Sequence, residues 1–181
     1  MPRVHGVHRT ILADPPWHEQ GGGKCKRGAD KHYPLMKTKA ICAMSLWLED
    51  YIYRDAHLHL WVTNNHLVAG LDVMEAWGFR YINQRTWAKD KIGLGQYARG
   101  QTEHILFGVR GKACLLRPNP YVSTLIGGKI LPRTVHSRKP PEAREEIERM
   151  SPGPYLELFA RERVEGWSCW GNEVDSDIEE G

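Results

Sequence analysis

The 181-residue chain is 41% hydrophobic and 26% charged, a balance that fits one globular domain with its own core and excludes wholesale disorder. No apolar stretch approaches bilayer length and "MPRVHGVHRT" has no apolar signal-peptide centre, so no membrane association and a cytoplasmic address are expected. The net charge of +3 is unevenly spread: the last seven residues, "DSDIEEG", hold four acids and no base, which leaves +7 on residues 1–174 and suits a polyanionic partner.

In chain order, "TILAD" reads as a first buried strand that "DPPW" (Asp14, Pro15, Pro16, Trp17) stops at once. Two consecutive prolines cannot donate to a sheet ladder, so the chain must leave the sheet there. "GGGKCKRGADKH" (residues 21–32) combines glycines with four bases and almost no apolar anchor, and is expected to be a mobile surface loop. "TKAICAMSLWLEDYI" has helical spacing, "AHLHLWVT" reads as the next strand, and "NNHLVAGLDVMEAWGF" as a helix with an Asn start signal. "YINQRTWAKD" and "EHILFGVRG" are two more strands, separated by the basic, glycine-punctuated loop "KIGLGQYARGQT".

An irregular stretch follows, and then "KPPEAREEIERM" starts a helix with its prolines where they are tolerated. "PYLELFAR" is a strong strand and "GWSCWGNEV" a short one. The alternation predicts a single α/β domain over residues 1–174, a mainly parallel sheet flanked by helices, with residues 175–181 a disordered acidic tail. The four cysteines are scattered without zinc-ligand spacing and are expected to be reduced. His57 and His59 in "HLHL" fall on one strand face with no third ligand evident, so no metal site is expected.

Ligands of open α/β sheets bind at the carboxyl ends of the strands. Those ends are Asp14, Thr63 to Asn65, Lys89 with Asp90, and Arg161, so a carboxylate, amides and bases share one rim.

"ADPPW", "LWVTNNH", "RTWAKDKIGLGQYARGQTEHILFGVRG", "HSRKPPEAREEIERMSPG", "YLELFAR" and "GWSCWGNE" occur here in an order and spacing that resemble the DPPW-type adenine-N6 methyltransferases. That family includes the catalytic subunit that writes N6-methyladenosine in mRNA, and this chain resembles a minimal bacterial or phage member. The resemblance implies a Rossmann-like S-adenosylmethionine-dependent fold with a permuted order, the catalytic motif preceding the cofactor-binding strand.

It further implies roles. Asp14 and the Pro15 carbonyl would accept hydrogens of the target amine on a turn frozen by Pro15 and Pro16, with Trp17 as a stacking face for a flipped base. Lys139, with Asp14 nearby, would meet the carboxylate of the cofactor's methionine part, Arg161 its ribose, and Asn172 and Glu173 its adenosine. Glu157, mid-strand, calls for a ligand or a basic partner. Tyr33 would help form the base pocket. Lys24, Lys26 and Arg27 in the first loop, with Lys89, Lys91 and Arg99 in the second, would contact phosphates. Arg163 and Val164 stand where relatives carry a His-Asn pair, so the adenine end of the cofactor must be held differently.

The function implied is N6 methylation of adenine in nucleic acid, DNA rather than RNA given the small size, with a homo- or heterodimer allowed. The alternatives are a catalytically weak or inactive nucleic-acid-binding subunit and an RNA adenine methyltransferase. The intact "DPPW" argues against the inactive subunit.

Overall fold

The structure, a computed structural model, describes residues 6–18, 35–95, 97–112, 121–132 and 138–180. Strand β1 (His8–Ala13) is buried at five of its six positions. A strand buried on both faces needs cover on both, and its alternation assigns each layer. Ile11 and Ala13 join one cluster with Leu58, Leu60 and Val62 of β2 (Ile52–Thr63), Ile41 of α1 (Thr38–Ala43), Leu48 of α2 (Ser45–Leu48) and Val73 and Met74 of α3 (Leu67–Ala76). Leu12 faces the other way, toward Trp61, Trp87 of β3 (Arg80–Ala88), Ile105 of β4 (Thr102–Arg110) and Ala143 and Ile147 of α4 (Pro141–Met150).

With β5 (Tyr155–Leu158) and β6 (Trp167–Trp170), six strands form one sheet in the order β3-β4-β2-β1-β5-β6. β1 pairs in parallel with β2 and β5, and β5 with β6, whereas β4 runs antiparallel to both β2 and β3. The sheet is therefore mainly parallel with one reversed strand. It is a permuted α/β arrangement in which the strand before "DPPW" comes first in the chain and its neighbour β5 near the end.

The single helix expected over "TKAICAMSLWLEDYI" is divided at Met44, where the Met44 and Trp47 N–H groups each reach back three residues, to Ile41 and Met44. That tighter turn keeps Ile41, Met44 and Leu48 in the core. Ile52, assigned to that helix from the sequence, instead begins β2.

The acidic C-terminus also departs from the sequence expectation of disorder. Ile178 is buried in the core cluster, Asp177 pairs with the backbone of Cys169 and with Arg163, and Glu179 meets the Tyr51 hydroxyl. Asp177 thereby meets both backbone groups of Cys169 on the outer edge of β6. One apolar side chain among four acids is what anchors them. No helix among the described residues is long and apolar enough to cross a membrane.

Candidate active site

Strand parity places the site. Asp14 follows Ala13 and so lies on the α4 side of the sheet, where Lys139 leads into α4 two residues before Pro141. The Lys139 ammonium donates to both oxygens of Asp14, at 2.8 and 2.7 Å. Glu103, second residue of β4, has its carboxylate 3.4 Å from the same ammonium and also pairs with Lys89. The indoles of Trp61 and Trp87 lie beneath, with Lys139 Nζ 5.2 Å from the first ring and Lys89 Nζ 4.8 Å from the second. Two carboxylates and two ammoniums thus alternate across the rim over an aromatic floor.

Burial shapes these charges. Burial alone would lower the Lys139 ammonium, but Asp14 and Glu103 outweigh it and hold its pKa above the ordinary lysine value. Burial would likewise raise Glu103, yet Lys139 and Lys89 hold it below the ordinary carboxylate range. Both stay charged at neutral pH.

The prolines do what the sequence suggested at the backbone. Asp14 N–H reaches the Leu158 carbonyl of β5 at 3.5 Å, and after it the chain leaves the sheet. The Pro16 carbonyl accepts from Met36 N–H at 2.8 Å, and the Pro15 carbonyl from Trp17 N–H at 2.8 Å. Trp17 is largely enclosed. It is only 7% exposed, its indole N–H donates to the Trp61 carbonyl at 2.9 Å, and its ring stacks on His66 at 5.5 Å. His66 covers one face of the Trp17 ring, and the indole forms a wall of the corner. A groove of about 550 Å³ is lined by His66 with Thr38, Lys39, Cys42, Asn65 and Asp72, and does not include Asp14.

Glu157 faces α4, opposite in parity to the buried Leu156 and Leu158, and meets Arg144 at 2.6 Å. Burial still holds its carboxyl above the ordinary range, against the pull of Arg144. The basic partner it required is therefore part of the protein. Arg161 and Glu173 are 4.0 Å apart across the ends of β5 and β6, beside Asn172. Ala160 N–H bonds to the Trp170 carbonyl at 2.9 Å, and a Cβ on Gly171 would lie 2.3 Å from the Ala160 carbonyl oxygen. Only glycine allows the two strand ends to meet so closely, which brings Arg161 and the Asn172–Glu173 turn together.

Of the expected phosphate contacts, Lys91 and Arg99 are exposed. Lys89 is not available in that way: its side chain is 14% exposed and turned inward onto Glu103. Lys24, Lys26, Arg27 and Tyr33 lie outside the described residues. His57 and His59 do share a face, and both reach the Ser151 hydroxyl, at 2.8 and 2.9 Å. The hydroxyl has one proton, so it can donate to at most one of the two rings. Sequence reasoning missed Glu103 and Arg144. The rule of strand carboxyl ends overlooks Glu103 because β4 is reversed and brings its first residues to the rim.

A doubly covered, mainly parallel sheet with an acidic proline corner at its central carboxyl edge defines an α/β fold of methyltransferase type. Family comparison agrees, since MT-A70 matches residues 8–173. Type II methyltransferase M.MunI of a Mycoplasma species is 30% identical over 194 residues, covering 95% of this chain and 80% of that protein. The rice protein described as probable N(6)-adenosine-methyltransferase MT-A70-like is 30% identical, and the human N(6)-adenosine-methyltransferase catalytic subunit METTL3 is 28% identical. The chain spans 24% and 29% of their lengths. This chain belongs to the MT-A70 family.

Proposed function

We propose that the chain transfers the methyl group of S-adenosylmethionine to the N6 amine of adenine in nucleic acid, with DNA as the substrate. The observation that carries this reading is the Asp14 carboxylate, set on a two-proline corner at the end of the central strand and oriented by one ammonium on both oxygens. An adenine amine is a poor nucleophile because its lone pair is delocalised into the ring. Acceptors for its two hydrogens draw the nitrogen toward tetrahedral geometry and localise that pair. Asp14 retains the capacity, since Lys139 uses about two of its roughly four lone-pair sites. The Pro15 carbonyl keeps a second lone pair beside the one taken by Trp17 N–H.

No tuned general base is needed, because the amine proton becomes acidic once the nitrogen is alkylated and leaves to solvent. Positioning and fixed charge then supply most of the rate. When bound, S-adenosylmethionine supplies an electrophilic sulfonium methyl. The donor set at the rim fits it: Lys139 suits its carboxylate, and Arg161, Asn172 and Glu173, gathered by the Ala160–Trp170 contact, suit a ribose diol and its base. Glu157, already committed to Arg144, supports that strand end from the side.

DNA is taken as the substrate because Type II methyltransferase M.MunI is similar to this chain over 80% of its own length. The test is mass spectrometry of nucleosides after incubation with isotopically labelled S-adenosylmethionine and single- or double-stranded DNA or RNA. Labelled N6-methyladenine in DNA is expected. Label in RNA alone removes the DNA assignment, and label in none removes the reading.

A further inference from the structure

The β3–β4 connection is built outward from the site. Lys89 N–H bonds to the Gln101 carbonyl and Gln101 Nε2 to the Lys89 carbonyl, both at 2.9 Å. Further out, Gly93 N–H meets the Gly100 carbonyl at 2.7 Å and Gly100 N–H the Leu94 carbonyl at 3.2 Å. At the tip, a Cβ on Gly95 would lie 2.1 Å from the Ala98 carbonyl oxygen, and Tyr97 adopts φ 57°. The backbone is thus folded tightly upon itself. What it presents is apolar: Tyr97 is fully exposed, Leu94 74% and Ile92 64% exposed.

Three large apolar side chains in water carry a hydrophobic cost, and single scattered ones would need no explanation. Here they fall within one short connection, Leu94 and Tyr97 at its tip and Ile92 on one arm, with Lys91 and Arg99 exposed on its two arms. The neighbouring segment, joined by the Lys89–Leu131 bridge, adds exposed Lys129 and Ile130. Bases flanking an aromatic and aliphatic tip complement phosphates around a base stack. The foot of the same connection holds Lys89 against Glu103, and Glu103 lies beside the ammonium that orients Asp14.

We propose that Tyr97 and Leu94 form a wedge that enters a nucleic-acid duplex beside the target adenine and occupies the stack as that base leaves it. This rests on the nucleic-acid reading above and adds to it how the base is extruded. Lys91 and Arg99 hold the strands on either side by their phosphates.

The test compares two duplexes: one with the target adenine paired, the other with the same adenine opposite an abasic position, where the stack is already open. Tyr97→Ala and Leu94→Ala should slow methyl transfer to the paired adenine about tenfold or more and to the unopposed adenine no more than about twofold. Tyr97→Phe should retain the wild-type rates. Equal losses on both duplexes, or none on either, overturn the wedge. So does a wild-type dimer that the same variants convert to monomers in light scattering, which would make the tip a protein contact.

Should the wild type methylate neither duplex, the catalytic reading falls and the wedge is judged by fluorescence anisotropy. Tyr97→Ala then weakens binding of the paired duplex at least about fivefold if the wedge is right. Unchanged affinity, or no binding by the wild type, overturns it.

Discussion

Replacing Lys139 with methionine keeps the length of the side chain and removes the charge that two carboxylates share. Oppositely charged groups about 4 Å apart are worth about 4 kcal/mol at an effective dielectric constant near 20. Lys139 has two such partners, Asp14 at 2.7 Å and Glu103 at 3.4 Å. The three side chains are 18–26% exposed, so solvent screening and the cost of desolvating the ammonium remove most of that attraction. The net loss, including repulsion between the two anions left behind, is about 2–3 kcal/mol, or a fall in Tm of about 5–10 °C for a chain this size. The pH dependence identifies the cause. Glu103 titrates below its ordinary value, so its contribution is present above that value and lost as pH falls through the depressed one. Lys139 titrates above its ordinary value, so its contribution is present below that value and lost as pH rises through the raised one. The gap between wild type and Lys139→Met should therefore be widest between about pH 5 and 10 and close toward both extremes. Thermal unfolding followed by circular dichroism from acid to alkaline pH measures it. A gap of constant size across that range would mean that Lys139 acts by packing alone and would refute the charge account.

Two further outcomes follow from particular contacts. Lys91→Glu with Arg99→Glu should weaken duplex binding and, if each base contacts one phosphate, reduce the slope of log affinity against log salt by about 1.8; anisotropy titrations at several salt concentrations read this directly. Ile178→Ala should destabilise the fold by about 2–4 kcal/mol, since the side chain is 6% exposed within the core, and denaturant unfolding should show a lowered midpoint. A neutral result there would mean that Ile178 does not anchor the acidic C-terminus.

Most of the strands were legible because they are apolar runs ended by a polar or turn residue, and "DPPW" could be placed at a strand's carboxyl end from its prolines alone. Asp14 and Lys139, far apart in the chain, meet at the rim where the resemblance had put them together. Less legible were features set by direction and by partner choice. Glu103 escaped notice because only the antiparallel pairing of β4 brings its start to the rim. The inward turn of Lys89 follows from that same carboxylate. Nothing local to Trp17 reveals that His66, in the turn that follows β2, stacks against its ring. The C-terminus read as disordered because composition averages over Ile178, the one residue with a place in the core.

The most direct test of the account compares methyl transfer by wild-type protein and Asp14→Ala, both shown folded by circular dichroism, on DNA whose product is read as labelled N6-methyladenine. The account predicts a loss of about 10²–10³-fold or more, with the thermal transition still cooperative. Wild-type rates in Asp14→Ala, or label arriving at a nitrogen other than N6, would contradict it.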